Sequence, residues 1–138
     1  MIERQKNRAI EIHDSVLDAL SVDNGDAVLQ FSHLYIHETE GVPGIDAGTG
    51  WSQQGKLTID DATVDGSISE LPRDLWDGHV VMGGRISDNV IPIPLSYVCK
   101  VELRLEAWGA VSEVVSIRGR GVKLELIGQA EYVDEFKP

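Results

Sequence analysis

Residues 16–37 read VLDALSVDNGDAVLQFSHLYIH, with the pair Asn24-Gly25 at the centre between two runs rich in apolar residues. Both central positions of a two-residue type I′ turn need a positive φ, which Asn and Gly adopt more easily than other residues. Asn-Gly between such runs is therefore the strongest short signal of a β-hairpin. The pattern predicts an antiparallel hairpin in which residues 16–22 pair with residues 27–37.

A longer alternating stretch, Ile91–Ala107, lies in the second half of the chain. Every second residue from Ile91 onward is apolar or small, and charged residues fill the other phase from Lys100. Such alternation predicts one strand with one buried and one wet face. Pro92 and Pro94 have no N–H, so we expect the beginning of this strand at a sheet edge.

The sequence after Ala107 predicts two further strands. A three-residue connection, residues 108–110, would form a hairpin that sets Val111 opposite Ala107. Two glycines in residues 119–121 mark a second turn, so the C-terminal third is expected to be a three-stranded meander. Gly128 interrupts the last strand and predicts a β-bulge.

These strands, with shorter ones between them, predict an all-β fold with a single domain spanning residues 1–138. We expect an antiparallel β-sandwich or small barrel of about six to eight strands with at most one short helical turn. That turn is placed at Pro72–Asp77, because Pro favours the first helical position and Gly78 follows the segment. Residues 1–8 are predicted to be a polar N-terminal segment.

Composition restricts the partners and the compartment. The chain has 138 residues, with 12 basic and 23 acidic side chains and a net charge of −11. Nucleic acids are bound mainly through Lys and Arg, so neither nucleic acid nor an anionic membrane is an expected partner.

The apolar runs are far shorter than the roughly 20 residues that span a bilayer. Residues 1–8 are not followed by an apolar signal core, and Cys99 is the single cysteine, so a cytoplasmic location is expected.

One set of residues in the first hairpin is a candidate metal site. If the two-residue turn sets the register, Asp14 lies opposite Tyr35, with His33 and His37 as diagonal neighbours on the same face. A carboxylate and two imidazoles suit a divalent metal such as zinc or an acid–base group. The alternative is the rim of an apolar core with no cofactor, and a bulge between Gln30 and His33 would separate the three.

The Gly/Pro-rich stretch Glu38–Trp51 is a second candidate, because long loops on rigid β scaffolds often bind ligands or partners. It lacks the spacing of a calcium loop and the motif of a phosphate loop, so a structural or oligomer-contact loop is the alternative. Within it, Pro43, Asp46 and Trp51 are candidate contacts to a ligand or partner. Trp108, at a predicted turn, is another candidate interface residue.

Three segments carry a resemblance to known proteins. They are GVPGIDAGTGW (41–51), NVIPIPL (89–95) and IRGRGVKLELIGQAEYVDEF (117–136). Together they resemble a bacterial family of small all-β domains of unknown function, which implies a bacterial protein but no role for any residue. In addition, HDS (13–15) before the first hairpin resembles the opening of some immunity proteins of bacterial toxin systems.

These observations favour a non-enzymatic cytoplasmic domain that binds a protein partner or itself. We expect a homo-oligomer, most simply a dimer, that forms at the strand edge near residues 91–95. One alternative is an immunity-type inhibitor whose acidic surface neutralises a basic toxin. Another is a metal-dependent enzyme or small-ligand binder that uses Asp14, His33 and His37.

Overall fold

The structure, a computed structural model, describes residues 6–109 and 113–136. These residues form strands and no helix, so the predicted all-β class is confirmed, although the chain divides into more strands than predicted. The strands are β1 (Asn7–Asp23), β2 (Asp26–Thr39), β3 (Gly48–Asp60), β4 (Thr63–Gly66), β5 (Arg73–Met82), β6 (Arg85–Asp88), β7 (Val90–Ile93), β8 (Ser96–Tyr97), β9 (Val101–Ala107), β10 (Glu113–Gly119) and β11 (Gly121–Phe136).

The strands build an antiparallel sheet that curls into a half-barrel. Their order is β4-β10-β9-β5-β1-β2-β3-β11-β8, while β6 pairs with β5 and β7 pairs with β1. The curl passes through β5, because Arg73 and Asp74 pair with β1 and residues 75–82 pair with β9. β5 therefore joins two arms of the sheet, one built from β1, β2 and β3 and the other from β9 and β10.

Both arms of the sheet contribute to the apolar core. The apolar side chains that are less than 2% exposed and largest in volume are Ile10, Ile12, Leu17, Leu29, Leu34, Ile36, Ile59, Leu75, Leu103, Leu105 and Ile117. They come from β1, β2 and β3 on one arm and from β5, β9 and β10 on the other. The core therefore holds the two arms together across the curl.

The predicted turn between β1 and β2 is confirmed. Asn24 and Gly25 both have positive φ angles, 52° and 85°, as a type I′ turn requires. Next to the turn, Leu20 pairs with Leu29, which is the register that a two-residue turn sets.

Farther from the turn, β1 departs from the predicted register. The pairing of β1 with β2 shifts three times between Glu11 and Ala19. As a result Glu11, and not Asp14, lies opposite Tyr35. The predicted pairing of Asp14 with Tyr35 is wrong because extra residues bulge out of β1, and each bulge displaces the rest of the ladder.

The buried side of β2 also changes partway along the strand. Its residues in the apolar core cluster are, in order from the turn, Ala27, Leu29, Phe31, Leu34 and Ile36. The change from odd to even positions coincides with a register shift between Phe31 and Leu34 in the pairing with β3. Because neighbouring residues alternate between faces, His33, Tyr35 and His37 lie on the outer face of the sheet and not on its core face.

The stretch Ile91–Ala107, predicted as one strand, is divided among β7, β8 and β9. β7 pairs with β1, whereas β8 pairs with β11, so residues 90–97 cross from one strand to the other. Among the described strands β7 has β1 as its sole partner, which agrees with the edge position that Pro92 and Pro94 predict.

The predicted C-terminal meander is wrong. β9 and β10 do form a hairpin, but Glu113 lies opposite Ala107, and Val111 is outside the described residues. β11 crosses to β3, because the other edge of β10 is already paired with β4. The bulge predicted at Gly128 is confirmed by its φ of 74° and by a register shift beside it.

The helical turn predicted at Pro72–Asp77 is also wrong, because Arg73 begins the strand β5. The backbone of this strand pairs with β1 and then with β9, and these ladders outweigh the weak local preferences of Pro and Gly. The strand ends at the Gly83-Gly84 turn, where both residues have positive φ.

Gly78 marks a close approach between β5 and its neighbours. A Cβ atom at this position would lie 2.5 Å from the carbonyl oxygen of Arg104 and 3.1 Å from Cγ2 of Ile12. The first contact is with backbone, which cannot move aside without disturbing β9. The packing of the two arms therefore needs a residue without a side chain here.

We predict that Gly78→Ala lowers the free energy of unfolding by about 1–3 kcal/mol, because it overpacks the interior. Urea denaturation followed by circular dichroism measures the change. Val98→Ala is the control, since Val98 is 97% exposed and its truncation should change stability by less than about 0.5 kcal/mol. Equal stabilities for the wild type and Gly78→Ala would contradict the close approach.

Candidate functional site

An open cavity of about 640 Å³ lies on the outer face of the sheet, beside the bulged part of β1. β1 and β2 form its floor, and the loop after β2, the turn at Asn89 and the end of β11 form its walls. Of the lining residues within 6–109 and 113–136, four are carboxylic acids and none is Lys or Arg. The lining side chains that can bind a metal or exchange a proton include Glu11, His13, Asp14, His33, Tyr35 and Asp134. This concentration of acids attracts cations.

Glu11 lies in the floor of the cavity, opposite Tyr35. The residue is 4% exposed, and its carboxylate accepts no hydrogen bond from any residue that the structure describes. Burial raises the pKa of Glu11, His13 opposes this increase, and Asp14 and Asp134 add to it. An acidic group with these surroundings lacks the compensation that buried charges usually have.

Asn89 holds the bulged part of β1 in place at the edge of the cavity. Its carbonyl oxygen accepts a hydrogen bond from the Ile12 N–H and its side-chain oxygen accepts one from the His13 N–H, both at 2.8 Å. Its side-chain nitrogen also contacts Nδ1 of His13. The φ of Asn89 is 59°, a conformation that Asn tolerates better than most residues.

His13 and Asp14 lie together in this bulge. Nε2 of His13 is 2.9 Å from a carboxylate oxygen of Asp14, and both side chains are partly exposed. Glu11, His13 and Asp14 each place one nitrogen or oxygen atom within 4.8 Å of the others. Two carboxylates and an imidazole at this spacing are a donor set that could hold a divalent metal.

Tyr35 and Asp134 connect the floor of the cavity with its β11 wall. The Tyr35 hydroxyl donates a hydrogen bond of 2.8 Å to Asp134, and burial together with this bond raises the pKa of Tyr35. Gly50 makes the contact possible, because a Cβ atom there would lie 2.1 Å from the Tyr35 hydroxyl oxygen. The tyrosine therefore stays protonated and fixes Asp134 beside the cavity.

Two of the three predicted metal ligands line this cavity. Asp14 lies in the bulge described above, and His33 lies on the outer face of β2. Nδ1 of His33 is 2.5 Å from the Ser52 hydroxyl oxygen on β3, so this ring is already engaged by a neighbouring strand. Asp14 and His33 therefore line the same cavity, but Asp14 contacts His13 whereas His33 contacts Ser52.

His37, the third predicted ligand, is fully buried and does not line the cavity. Its Nδ1 accepts a hydrogen bond of 2.6 Å from the Gly44 N–H, and its ring stacks on Phe136 with centroids 3.9 Å apart. The proton of the neutral ring is therefore on Nε2, which has no hydrogen-bond partner among the described residues. Burial lowers the pKa of His37 more than Asp46 raises it.

The sequence pattern did not indicate Glu11, His13, Tyr35 or Asp134 as members of one site. The adjacent pair His13-Asp14 was the one local signal, since it combines two metal-binding side chains. Tyr35 and Asp134 are 99 residues apart in the chain, and their contact depends on the path of β11.

The loop between β2 and β3 is held by its own hydrogen bonds. A carboxylate oxygen of Asp46 accepts a bond of 2.6 Å from the Val42 N–H, and the Thr39 hydroxyl donates one of 2.7 Å to the Ala47 carbonyl oxygen. Asp46 therefore closes the loop, whereas Pro43 lines a separate groove beside Arg8. A contact of either residue with a partner stays a prediction.

The two candidate tryptophans have different surroundings. Trp51 lies in β3, is partly buried and donates a hydrogen bond of 2.8 Å to the Thr49 hydroxyl, with Tyr132 edge-on at 5.5 Å. Trp108 is 53% exposed and contacts Trp76, which is 49% exposed. Trp51 thus packs on the sheet, and Trp108 keeps an accessible ring.

No protein-family model, no curated protein and no solved structure matches the chain. The resemblances described above therefore stay expectations. Within residues 6–109 and 113–136 there is no helix long and apolar enough to cross a membrane.

We predict that His37 destabilises the fold in acid. A group whose pKa is lowered by folding binds its proton more weakly in the folded chain, so acidification below its ordinary pKa of 6.5 favours unfolding. Between about pH 6.5 and pH 5.5 the wild type should lose up to about 1 kcal/mol more stability than His37→Gln. Urea denaturation at both pH values measures this difference.

The comparison between wild type and variant isolates His37, because Glu11 is present in both proteins. The raised pKa of Glu11 has the opposite effect, since protonation of this buried carboxylate stabilises the folded chain. The same loss of stability in His37→Gln as in the wild type would show that His37 is not responsible.

Proposed function

We propose that this protein binds a divalent metal ion in the acidic cavity, with Glu11, His13 and Asp14 as protein ligands. The observation that carries the proposal is the Glu11 carboxylate. It is buried, faces the cavity without a hydrogen-bond donor, and lies within 4.8 Å of donor atoms of His13 and Asp14.

Electrostatics favours a cation at this position. A buried carboxylate without a partner is costly, and here Asp14 and Asp134 add repulsion. Among the residues that the structure describes, no lysine or arginine lines the cavity to compensate them. A bound cation would supply the missing charge and would stabilise the folded chain by binding it in preference to the unfolded chain.

The donor set favours a transition metal or zinc. Imidazole nitrogen combined with carboxylate oxygen suits Zn²⁺ or Mn²⁺ better than Ca²⁺ or Mg²⁺, which prefer oxygen ligands alone. Three protein ligands leave coordination positions for water, and such metals lower the pKa of bound water. A site of this kind supports metal-assisted hydrolysis as well as simple metal binding.

The expected self-association and the expected immunity-type role concern other surfaces, and both stay predictions. The cavity supports the alternative that uses Asp14, with Glu11 and His13 in place of His33 and His37 as the principal ligands. His33 lines the same cavity, and because its Nδ1 contacts Ser52, Nε2 is the nitrogen that it could offer as an additional ligand.

We predict that Zn²⁺ or Mn²⁺ binds with a stoichiometry of about one per chain and raises the melting temperature, with about 2.7 kcal/mol of stabilisation at a hundredfold excess over the dissociation constant. Isothermal titration calorimetry and thermal unfolding of chelator-treated protein measure these effects. His13→Ala should weaken binding at least tenfold and keep the fold, because His13 is exposed.

The variant Glu11→Gln tests whether Glu11 is a metal ligand or a structural residue. It should stabilise the metal-free protein by about 1 kcal/mol, since a buried charge is removed, and it should weaken the metal effect. Glu102→Gln, an exposed change on β9, is the matched control and should change neither property. The proposal would be refuted if neither metal affected the wild type and the metal-free Glu11→Gln protein were less stable than the wild type.

A further inference from the structure

The outer edge of β11 is open over most of its length. One side of this strand pairs with β3 between Gly121 and Phe136, with register shifts between Ile127 and Glu131 and between Tyr132 and Asp134. The other side pairs with β8 at Val122 and Lys123, and the Leu124 N–H donates to the Leu95 carbonyl oxygen at 2.9 Å. From residue 125 to residue 136 no described strand lies beside this edge.

The open part of β11 exposes apolar side chains. Ile127, Tyr132 and Val133 are 49%, 55% and 47% exposed. Every described residue from 127 to 135 except Ala130 is exposed, so side chains on both faces of the strand reach solvent. An exposed strand edge with apolar side chains is a template for an added strand, and free domains usually protect such an edge.

Two features protect this edge, the register shifts in β11 and its acidic residues. Residues 125–136 contain four acids, no Lys, no Arg and no Pro. Glu125 is neutralised by Lys56 and Lys123 at 3.7 and 3.3 Å, whereas Glu131 and Glu135 form no ion pair with any described residue. The edge therefore carries uncompensated negative charge beside its apolar residues.

This charge determines which strand can be added. A second copy of β11 would bring its own acids against the same acids, and two chains of net charge −11 repel each other. A segment rich in Lys or Arg meets no such repulsion and gains attraction to Glu131 and Glu135. Backbone hydrogen bonds would supply affinity, while the charges and apolar residues would supply selectivity.

We propose that the outer edge of β11, residues 125–136, binds an extended segment of a partner protein in which Lys or Arg alternates with apolar residues. The segment adds to the sheet as a further strand. The proposal does not depend on a metal in the cavity, since it rests on the unpaired edge and its charge.

A fluorescently labelled peptide that alternates lysine with valine tests the proposal by fluorescence anisotropy. We expect binding that weakens with salt, and slower amide hydrogen exchange in residues 125–136 when the peptide is bound. The same peptide with alternate amides N-methylated keeps its charge but cannot complete a ladder. It should bind at least tenfold more weakly.

Paired charge reversals supply the matched control. Glu131→Lys with Glu135→Lys should weaken binding of the lysine–valine peptide at least tenfold. Glu102→Lys with Asp23→Lys changes the net charge equally at exposed positions away from β11 and should change affinity less than about threefold. Circular dichroism establishes that both double variants fold.

Three results would each overturn the proposal. Equal affinity for the N-methylated peptide would show simple charge attraction without strand addition. Equal weakening by the two double variants would place the binding away from β11. Sedimentation of the wild type as a dimer with protected amides in residues 125–136 would identify a second copy as the occupant.

Discussion

Pairing between β1 and β2 must bury apolar side chains along both strands, and this constraint shapes the rest of the structure. A regular β2 would turn His33 and His37 toward the core and send Leu34 and Ile36 to the outer face. Register shifts in β1 and between β2 and β3 let the buried side change partway along each strand. The continuous core and the polar outer face both follow from these shifts.

The outer face is then covered by segments that belong to other parts of the chain. The Gly44 N–H in the loop after β2 donates a hydrogen bond to His37. At the end of β11, Phe136 stacks on that ring and Asp134 accepts a hydrogen bond from the Tyr35 hydroxyl. This covering buries the Nε2 atom of His37 without a hydrogen-bond partner in the described chain, and it leaves the Glu11 carboxylate, on a residue that is itself mostly buried, facing the cavity. Such groups cost about 1–3 kcal/mol each, so core packing has to offset them. Native structures seldom keep them without a structural or chemical use.

Local features were predictable from the sequence and non-local ones were not. The positive φ angles at Asn24-Gly25 and the bulge at Gly128 are properties of one or two residues, so residue type reveals them. The crossing of β11 to β3 depends instead on which edges stay free after β4 pairs with β10. The same distinction applies to the site: Asp14 and His33 were predicted, whereas Glu11 and Asp134 enter through a bulge and a distant strand.

The path of β11 gives one segment two roles. In a meander beside β10, its last residues would lie away from β2, and Asp134 could not accept the Tyr35 hydrogen bond. On β3, the same residues form a wall of the acidic cavity on one face and leave an open edge on one side. A strand bound at that edge would fix the backbone that carries Asp134, and the charge of Asp134 acts on Glu11. Any resulting change in cation affinity must be matched by an equal change in strand affinity, because coupling between two binding sites is reciprocal.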